Sequence, residues 1–374
     1  MDKKFALKLL KEIHSIPTAP YNEDGILKYV AAFARKRRIK TATDKHGNLL
    51  LHLDTGGKHP IGIVAHTDHP GFEISGDKNG RLVSRFHGGV PPSFFSGKTP
   101  VFFSANGKTV NASIVGYKTE IHPRSRKRRI KEVTLDGKSG LPVGAPGMWG
   151  KPFIKFKGDF IHAWAHDDVS GCALILCALN ECIRRKYKVN IYALFTRAEE
   201  TGFTGAIGFF DELKRHKLIP KNIPLISIET SKELPGARRG RGIVIRIGDR
   251  MTTFDPKLVN FMETIGKELK KADKEFRYQR RLMDGGTCEA TVFALWGFQT
   301  AGLAMPLGNY HNVNRKDKDI SPEIIHKRDF FSGALLFAEM ARRIGEMEKI
   351  WREVKKRLLD ISASGRRRLV TGKW

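Results

Sequence analysis

The chain has 374 residues, 40% of them hydrophobic and 28% charged, which suits one large folded domain with a smaller companion and excludes general disorder. Lys and Arg number 67 against 39 Asp and Glu, a formal net charge of +28 that attracts anions of any kind, from nucleic acid to acidic peptides. No run of about 18 apolar residues occurs, and Met1-Asp2-Lys3-Lys4-Phe5 leads into an amphipathic pattern without a signal-peptide core, so a soluble, cytoplasmic protein that does not engage a membrane is expected.

The basic residues concentrate in Arg124-Ser125-Arg126-Lys127-Arg128-Arg129 and in the tail Arg366-Arg367-Arg368. Without interleaved aromatics or a nucleic-acid motif, these runs read as solvated loops, with nucleic-acid contact the less favoured alternative. Cys172, Cys177, Cys182 and Cys288 form no CxxC pair. The first three recur every five residues along one expected helix, a spacing that drifts around the axis, so they read as small buried residues in a reducing compartment.

In chain order, residues 5–39 read as helix broken at the Pro17–Pro20 turn, followed by strands at about 48–54 and 61–65. From residue 72 to 160 short β-like segments alternate with Gly, Asn and Pro turns and no helical period appears, as in a small all-β module inserted into a larger domain. The α/β rhythm then returns: helix at 170–186, strand at 189–195, helix at 204–216, strands at 224–228 and 242–247. A helix at 256–272 has Pro256 in its first turn, a strand covers 300–305, and one long helix or two cover 322–358. This alternation predicts an α/β fold with a mainly parallel sheet covered by helices on both faces. Residues 1–71 and 161–358 form the discontinuous main domain, 72–160 the insert, and 359–374 a disordered basic tail.

Ligands of open α/β sheets bind beyond the carboxyl ends of the strands, so the residues after each strand are the candidates. His66-Thr67-Asp68 follow 61–65, His166-Asp167-Asp168 follow 160–164, Glu199-Glu200 follow 189–195, Glu229 follows 224–228, and His311 comes soon after 300–305. Each fragment alone has a plainer explanation. His66 would serve as a structural histidine, Asp167-Asp168 as a helix cap, and Glu199-Glu200 as a solvated loop. The ordered set is a stronger signal, because imidazole nitrogen and carboxylate oxygen are the donors that zinc, cobalt or manganese take. Two such ions need a bridging carboxylate, and a further carboxylate that is no ligand must take a proton from water. His66 and Asp68 share a strand face, so Asp68 can fix the imidazole tautomer.

The pattern resembles the co-catalytic zinc aminopeptidases, and most closely the tetrahedral-assembly, or glutamyl, aminopeptidases. The resemblance rests on Asp44-Lys45-His46-Gly47-Asn48, Ala65-His66-Thr67-Asp68, Asp167-Asp168-Val169-Ser170-Gly171, Thr196-Arg197-Ala198-Glu199-Glu200-Thr201-Gly202, Leu234-Pro235-Gly236, Gly285-Gly286-Thr287 and Tyr310-His311-Asn312. It covers roughly residues 5–345, and it implies that the insert is a small β-barrel. It further implies a two-metal aminopeptidase that hydrolyses N-terminal residues from peptides and assembles as a homo-oligomer, from dimer to dodecamer. Carried over, Asp167 bridges two divalent ions (zinc first, cobalt or manganese as alternatives) and joins Asp168 by a cis peptide. His66 and Glu229 complete one ion's ligands, and Glu200 and His311 the other's. Glu199 is the general base, with Asp68 the partner of His66. The chain departs from the family's usual residues at Glu229 (Asp), His69 (an acid), Cys288 (Asp) and Asn312 (Ser). A metal-dependent amidase or deacylase of the same fold is the first alternative, and a basic nucleic-acid-associated protein with a relic site the second. Arg238, Arg239 and Arg241, beside Leu234-Pro235-Gly236, lean the expected specificity towards acidic N-terminal residues.

Overall fold

The computed structural model describes residues 1–95, 99–121, 126, 128–136 and 140–372, with the backbone alone at 214 and 216. Part of the basic run at 124–129 lies outside the described residues.

The main sheet has eight strands, in the order Lys40–Thr43, Leu49–Asp54, Asn190–Thr196, Pro60–His66, Leu225–Lys232, Thr300–Leu307, Ile243–Asp249, Tyr278–Met283. The four strands from Asn190–Thr196 to Thr300–Leu307 run parallel. Antiparallel pairings flank them on both sides, so the sheet is mixed, with parallel order concentrated at its centre. The central strands are rich in buried apolar residues, as a sheet covered on both faces requires; Ile61 to Ala65 are all buried. Gly62 belongs to that packing, since a Cβ there would stand 2.3 Å from Leu225. Helix His166–Arg184 packs on these strands and against helix Lys327–Arg343, burying Cys172, Cys177 and Cys182, which are unbridged.

A second sheet of seven antiparallel strands runs from Gly71 to Trp149. It encloses a core of its own built on Phe72, Phe95, Phe103 and Trp149, in which the rings of Phe72 and Trp149 meet edge to face at 4.8 Å. The two edge strands, Lys108–Ala112 and Ile114–Ile121, do not pair with each other among the described residues.

In three places the elements differ from those the sequence pattern indicates. The last strand of the seven-stranded sheet ends at Trp149, and Ile154–Lys157 and Phe160–Ala163 form a separate three-stranded sheet with Glu323–His326. For the same reason no helix begins at Pro322: the chain first adds that strand and turns helical only at Lys327. The tail at 359–374, expected to be disordered, continues as helix to Ile361 and again over Ala363–Thr371, although nothing in the second helix is buried.

Candidate active site

The parallel strands bring the sequence-selected residues to one end of the sheet. His66 closes Pro60–His66. Glu199 and Glu200 form a single 3-10 turn after Asn190–Thr196. Glu229 lies inside Leu225–Lys232, a longer strand than the apolar run indicates. His311 occupies a tight turn beyond Thr300–Leu307. Asp167 and Asp168 open helix His166–Arg184 with non-helical backbone, and the peptide between them is cis.

His66 Nε2 stands 3.4 Å from Asp167 Oδ1 and 3.9 Å from Glu229 Oε2. His311 Nε2 stands 3.6 Å from Asp167 Oδ2 and 3.1 Å from Glu200 Oε1. The two oxygens of Asp167 therefore face two different imidazoles. Two donor triads result, His66–Asp167–Glu229 and Asp167–Glu200–His311, with the donor atoms of each within 4.8 Å of one another. His66, Glu199 and Glu200 form a third grouping inside the same span. Glu199 Oε2 lies 4.0 Å from His66 Nε2.

Around this centre, backbone and side-chain groups fix each donor. His66 Nδ1 is 3.1 Å from the Asp68 carbonyl and 3.4 Å from its carboxylate, which leaves Nε2 facing the carboxylates. The Asp68 carboxylate also accepts the backbone N–H groups of Glu199 and Glu200. The ring of His311 is held through Nδ1, which donates to Gly89 O in the β-module at 3.0 Å, and Tyr310 stacks on it at 3.8 Å. Sequence reasoning missed Gly89, and it missed Glu23, a buried carboxylate that accepts from Arg197 Nε and from Ala198 N just before the glutamate pair. Only the break between the first two helices hinted at Glu23.

The electrostatics are those of a crowded anionic cavity. Burial alone would lower the His66 imidazole, but Glu199, Asp167 and Asp68 raise it well above its usual range; Glu200 and Asp167 do the same for His311. Burial pushes the Glu199 carboxyl far above the carboxylate range despite the opposing His66. Burial, reinforced by the Asp167 charge, raises Glu229 to about 8. Asp167 Oδ1 and Glu229 Oε1 are buried without a hydrogen-bond donor among the described residues. Unsatisfied buried carboxylate oxygens are costly, and the nitrogen and oxygen donor set around them suits a borderline divalent cation. The residues present therefore fit two such ions.

A narrow pocket of about 70 Å³ opens beside the triads, lined in part by Arg246, Ser231, Met283, Gly286, Thr287 and Tyr310. Arg246 is 2% exposed; its Nη1 donates to Ser231 Oγ at 3.3 Å, while Nε has no acceptor among the described residues. The arginines favoured from the sequence do not line this pocket. Arg239 pairs with Glu233 at 3.1 Å, and Arg238 donates its backbone N–H to Gln279. The available signal was one charged residue inside the apolar strand run Ile243-Val244-Ile245-Arg246-Ile247.

Comparison with known proteins decides the family. The model of the M42 glutamyl aminopeptidase family matches residues 47–323. The chain belongs to that family. It is accordingly an aminopeptidase, a hydrolase of peptide bonds. Among solved structures, it is similar to the TET aminopeptidase of the marine-sediment archaeon Thaumarchaeota archaeon SCGC AB-539-E09, with a TM-score of 0.75, 18% identity, and coverage of 94% of this chain and 100% of that one. An aminopeptidase of Desulfurococcus kamchatkensis gives 0.73 at 23% identity, over 91% of this chain and 95% of that one. The Pyrococcus horikoshii TET1 peptidase, which can assemble into a tetrahedron or an octahedral shell, gives 0.71 at 19% identity over 90% and 99%. At these identities the structural likeness speaks for the fold.

Proposed function

We propose that this M42 aminopeptidase works with two divalent cations, zinc first among them, and a glutamate general base. The observation that carries the reading is Asp167, whose two oxygens face His66 and His311 at 3.4 and 3.6 Å. In this reading His66, Asp167 and Glu229 would hold one ion and Asp167, Glu200 and His311 the other, and the bound ions would supply an activated water and polarise the substrate carbonyl. Glu199 takes the proton of the attacking water and delivers it to the leaving amine. Burial raises its proton affinity, which suits a base that must hold a proton between the two steps. Asp68 and the Gly89 carbonyl keep Nδ1 of each imidazole engaged, so that Nε2 is the donor turned to the ion.

The substrates are peptides with a free N-terminus, and the side chain of the first residue enters the pocket beside Arg246. A buried guanidinium whose Nε has no acceptor among the described residues is costly, and an acidic side chain would satisfy it with charge-assisted hydrogen bonds. That favours glutamyl and aspartyl N-termini, in keeping with the name of the family. As in its TET relatives, the working form is a homo-oligomer. A chelator is expected to abolish hydrolysis of aminoacyl substrates, with zinc or cobalt restoring it. Full activity in the stripped protein would remove the two-cation reading.

A further inference from the structure

One carboxylate outside both triads holds the backbone of two residues within them. Glu323 is fully buried at the first position of strand Glu323–His326. The register of that strand sets it opposite Ala163, just before the chain turns into the segment that carries Asp167. Its Oε2 accepts the backbone N–H of Asp167 at 3.0 Å, and its Oε1 accepts the backbone N–H of His311 at 2.9 Å. These are two of the three donors of the Asp167–Glu200–His311 triad, and they come from distant parts of the chain. A second link runs through His69, whose Nδ1 is 2.5 Å from the Asp167 carbonyl and whose Nε2 is 2.9 Å from Asn312 Oδ1. His311 and Asn312 both have positive φ, 54° and 64°, a conformation that residues with a side chain adopt reluctantly, so the turn needs outside groups to fix it.

We propose that Glu323 is a positioning residue that sets the spacing of Asp167 and His311, and with it the cation affinity of the Asp167–Glu200–His311 triad in preference to the His66–Asp167–Glu229 triad. The proposal rests on the two-cation reading. It follows from geometry: a carboxylate has two acceptor oxygens a fixed distance apart, and here each holds one ligand's main chain. The other triad shares Asp167, but its remaining donors, His66 and Glu229, lie on adjacent parallel strands of the sheet, which are paired directly below them from Leu225–Gly62 to Ser227–Val64.

The test uses the full chain stripped of metal. Zinc is titrated calorimetrically, and cobalt absorption follows the two sites separately. Wild type is expected to show two binding steps. Glu323→Gln keeps the shape and one acceptor oxygen but turns an NH2 group towards the other N–H. It should weaken one step by about 10–100-fold and leave the other at its wild-type affinity. The thermal midpoint of the stripped variant should stay at the wild-type value, which separates positioning from a general structural role; Glu323→Asp, too short to reach both N–H groups, should behave alike. Two unchanged steps in both variants overturn the proposal, as does equal weakening of both steps together with a lower midpoint. Fewer than two ions on wild type removes the two-cation reading and this proposal with it.

Discussion

Asp68 Oδ1 accepts the backbone N–H of Glu199 at 2.9 Å, and Asp68 Oδ2 accepts that of Glu200 at 3.1 Å. The same residue meets the Nδ1 edge of His66. One buried residue thus meets the ring through its carbonyl and holds the turn carrying both glutamates through its carboxylate. In Asp68→Asn an NH2 group must oppose one of those N–H groups. Activity is expected to fall by about 10–100-fold, the range for groups that orient ligands, with most of the bound metal retained. Wild-type kcat with wild-type metal content would show that the alignment does not matter.

Arg246 is expected to set specificity. Replacing it with Met removes the charge and keeps a packed stem against Gly302, where an added Cβ would stand 3.0 Å from Arg246 Cδ. The ratio of kcat/KM for glutamyl over leucyl substrates should fall by at least about 10-fold, since losing a charge-assisted pair in a buried pocket costs that much or more. A ratio that stays put, or a wild-type preference for lysyl substrates, defeats the assignment.

Stripping the ions should change how stability depends on pH. In the ion-free protein Glu229 titrates at about 8, raised chiefly by burial, against about 4.3 for a free glutamate. The folded state then binds the proton more tightly than the unfolded state does. Its contribution to stability is complete below the unfolded value and is lost as pH rises through the folded one. The stripped protein should therefore melt at lower temperature at pH 8 than at pH 5, and the metal-loaded protein should lose less over that interval. Equal slopes with and without metal would contradict the anionic cavity.

The β-module is expected to matter for the metal site itself. Gly89 accepts from His311, and Val313 and Ile320, in the hairpin that follows His311, pack into the module's core. Thr99 also donates to the Ile320 carbonyl. Joining residue 71 to residue 150 through a short linker should leave the main sheet folded by circular dichroism, yet cost one of the two bound ions. Retention of both ions would show that the module does not hold His311.

The central strands and their end residues were legible because buried parallel strands are continuous apolar runs, and each run is followed by a short polar segment. Ile61 to Ala65 and then His66 is the clearest case. What pairs with what was not legible. The strand Glu323–His326 has no alternation to distinguish it from the helix that follows, and only its partner Phe160–Ala163 makes it a strand. Glu323, Glu23 and Gly89 act through main-chain hydrogen bonds to residues far away in sequence, which leave no local pattern. Arg246 did leave one, a charge in a buried strand, whereas Arg238, Arg239 and Arg241 do not line the pocket beside the triads.

The sharpest test separates Glu199 from Glu200. The two are adjacent in one turn and chemically alike, yet the proposed mechanism gives them different tasks. Glu200 Oε1 is 3.1 Å from His311 Nε2, within the triad of Asp167. Glu199 Oε2 stands 4.0 Å from His66 Nε2 and lines the pocket together with Glu200; the proposed mechanism assigns it the proton. Glu200→Gln should therefore lower metal content and rate together. Glu199→Gln keeps volume and shape and removes only the capacity to accept a proton. General acid–base catalysis contributes about 10²–10⁴ in rate, or roughly 2.7–5.4 kcal/mol at 1.36 per decade. The variant should fold, hold both ions and bind a peptide with near-normal affinity, while kcat falls by at least about 10². Metal content and kcat are measured side by side on both variants. Loss of metal in Glu199→Gln would make that residue a ligand, and near-normal kcat would leave the proton transfer to another group; either result rules out Glu199 as the base.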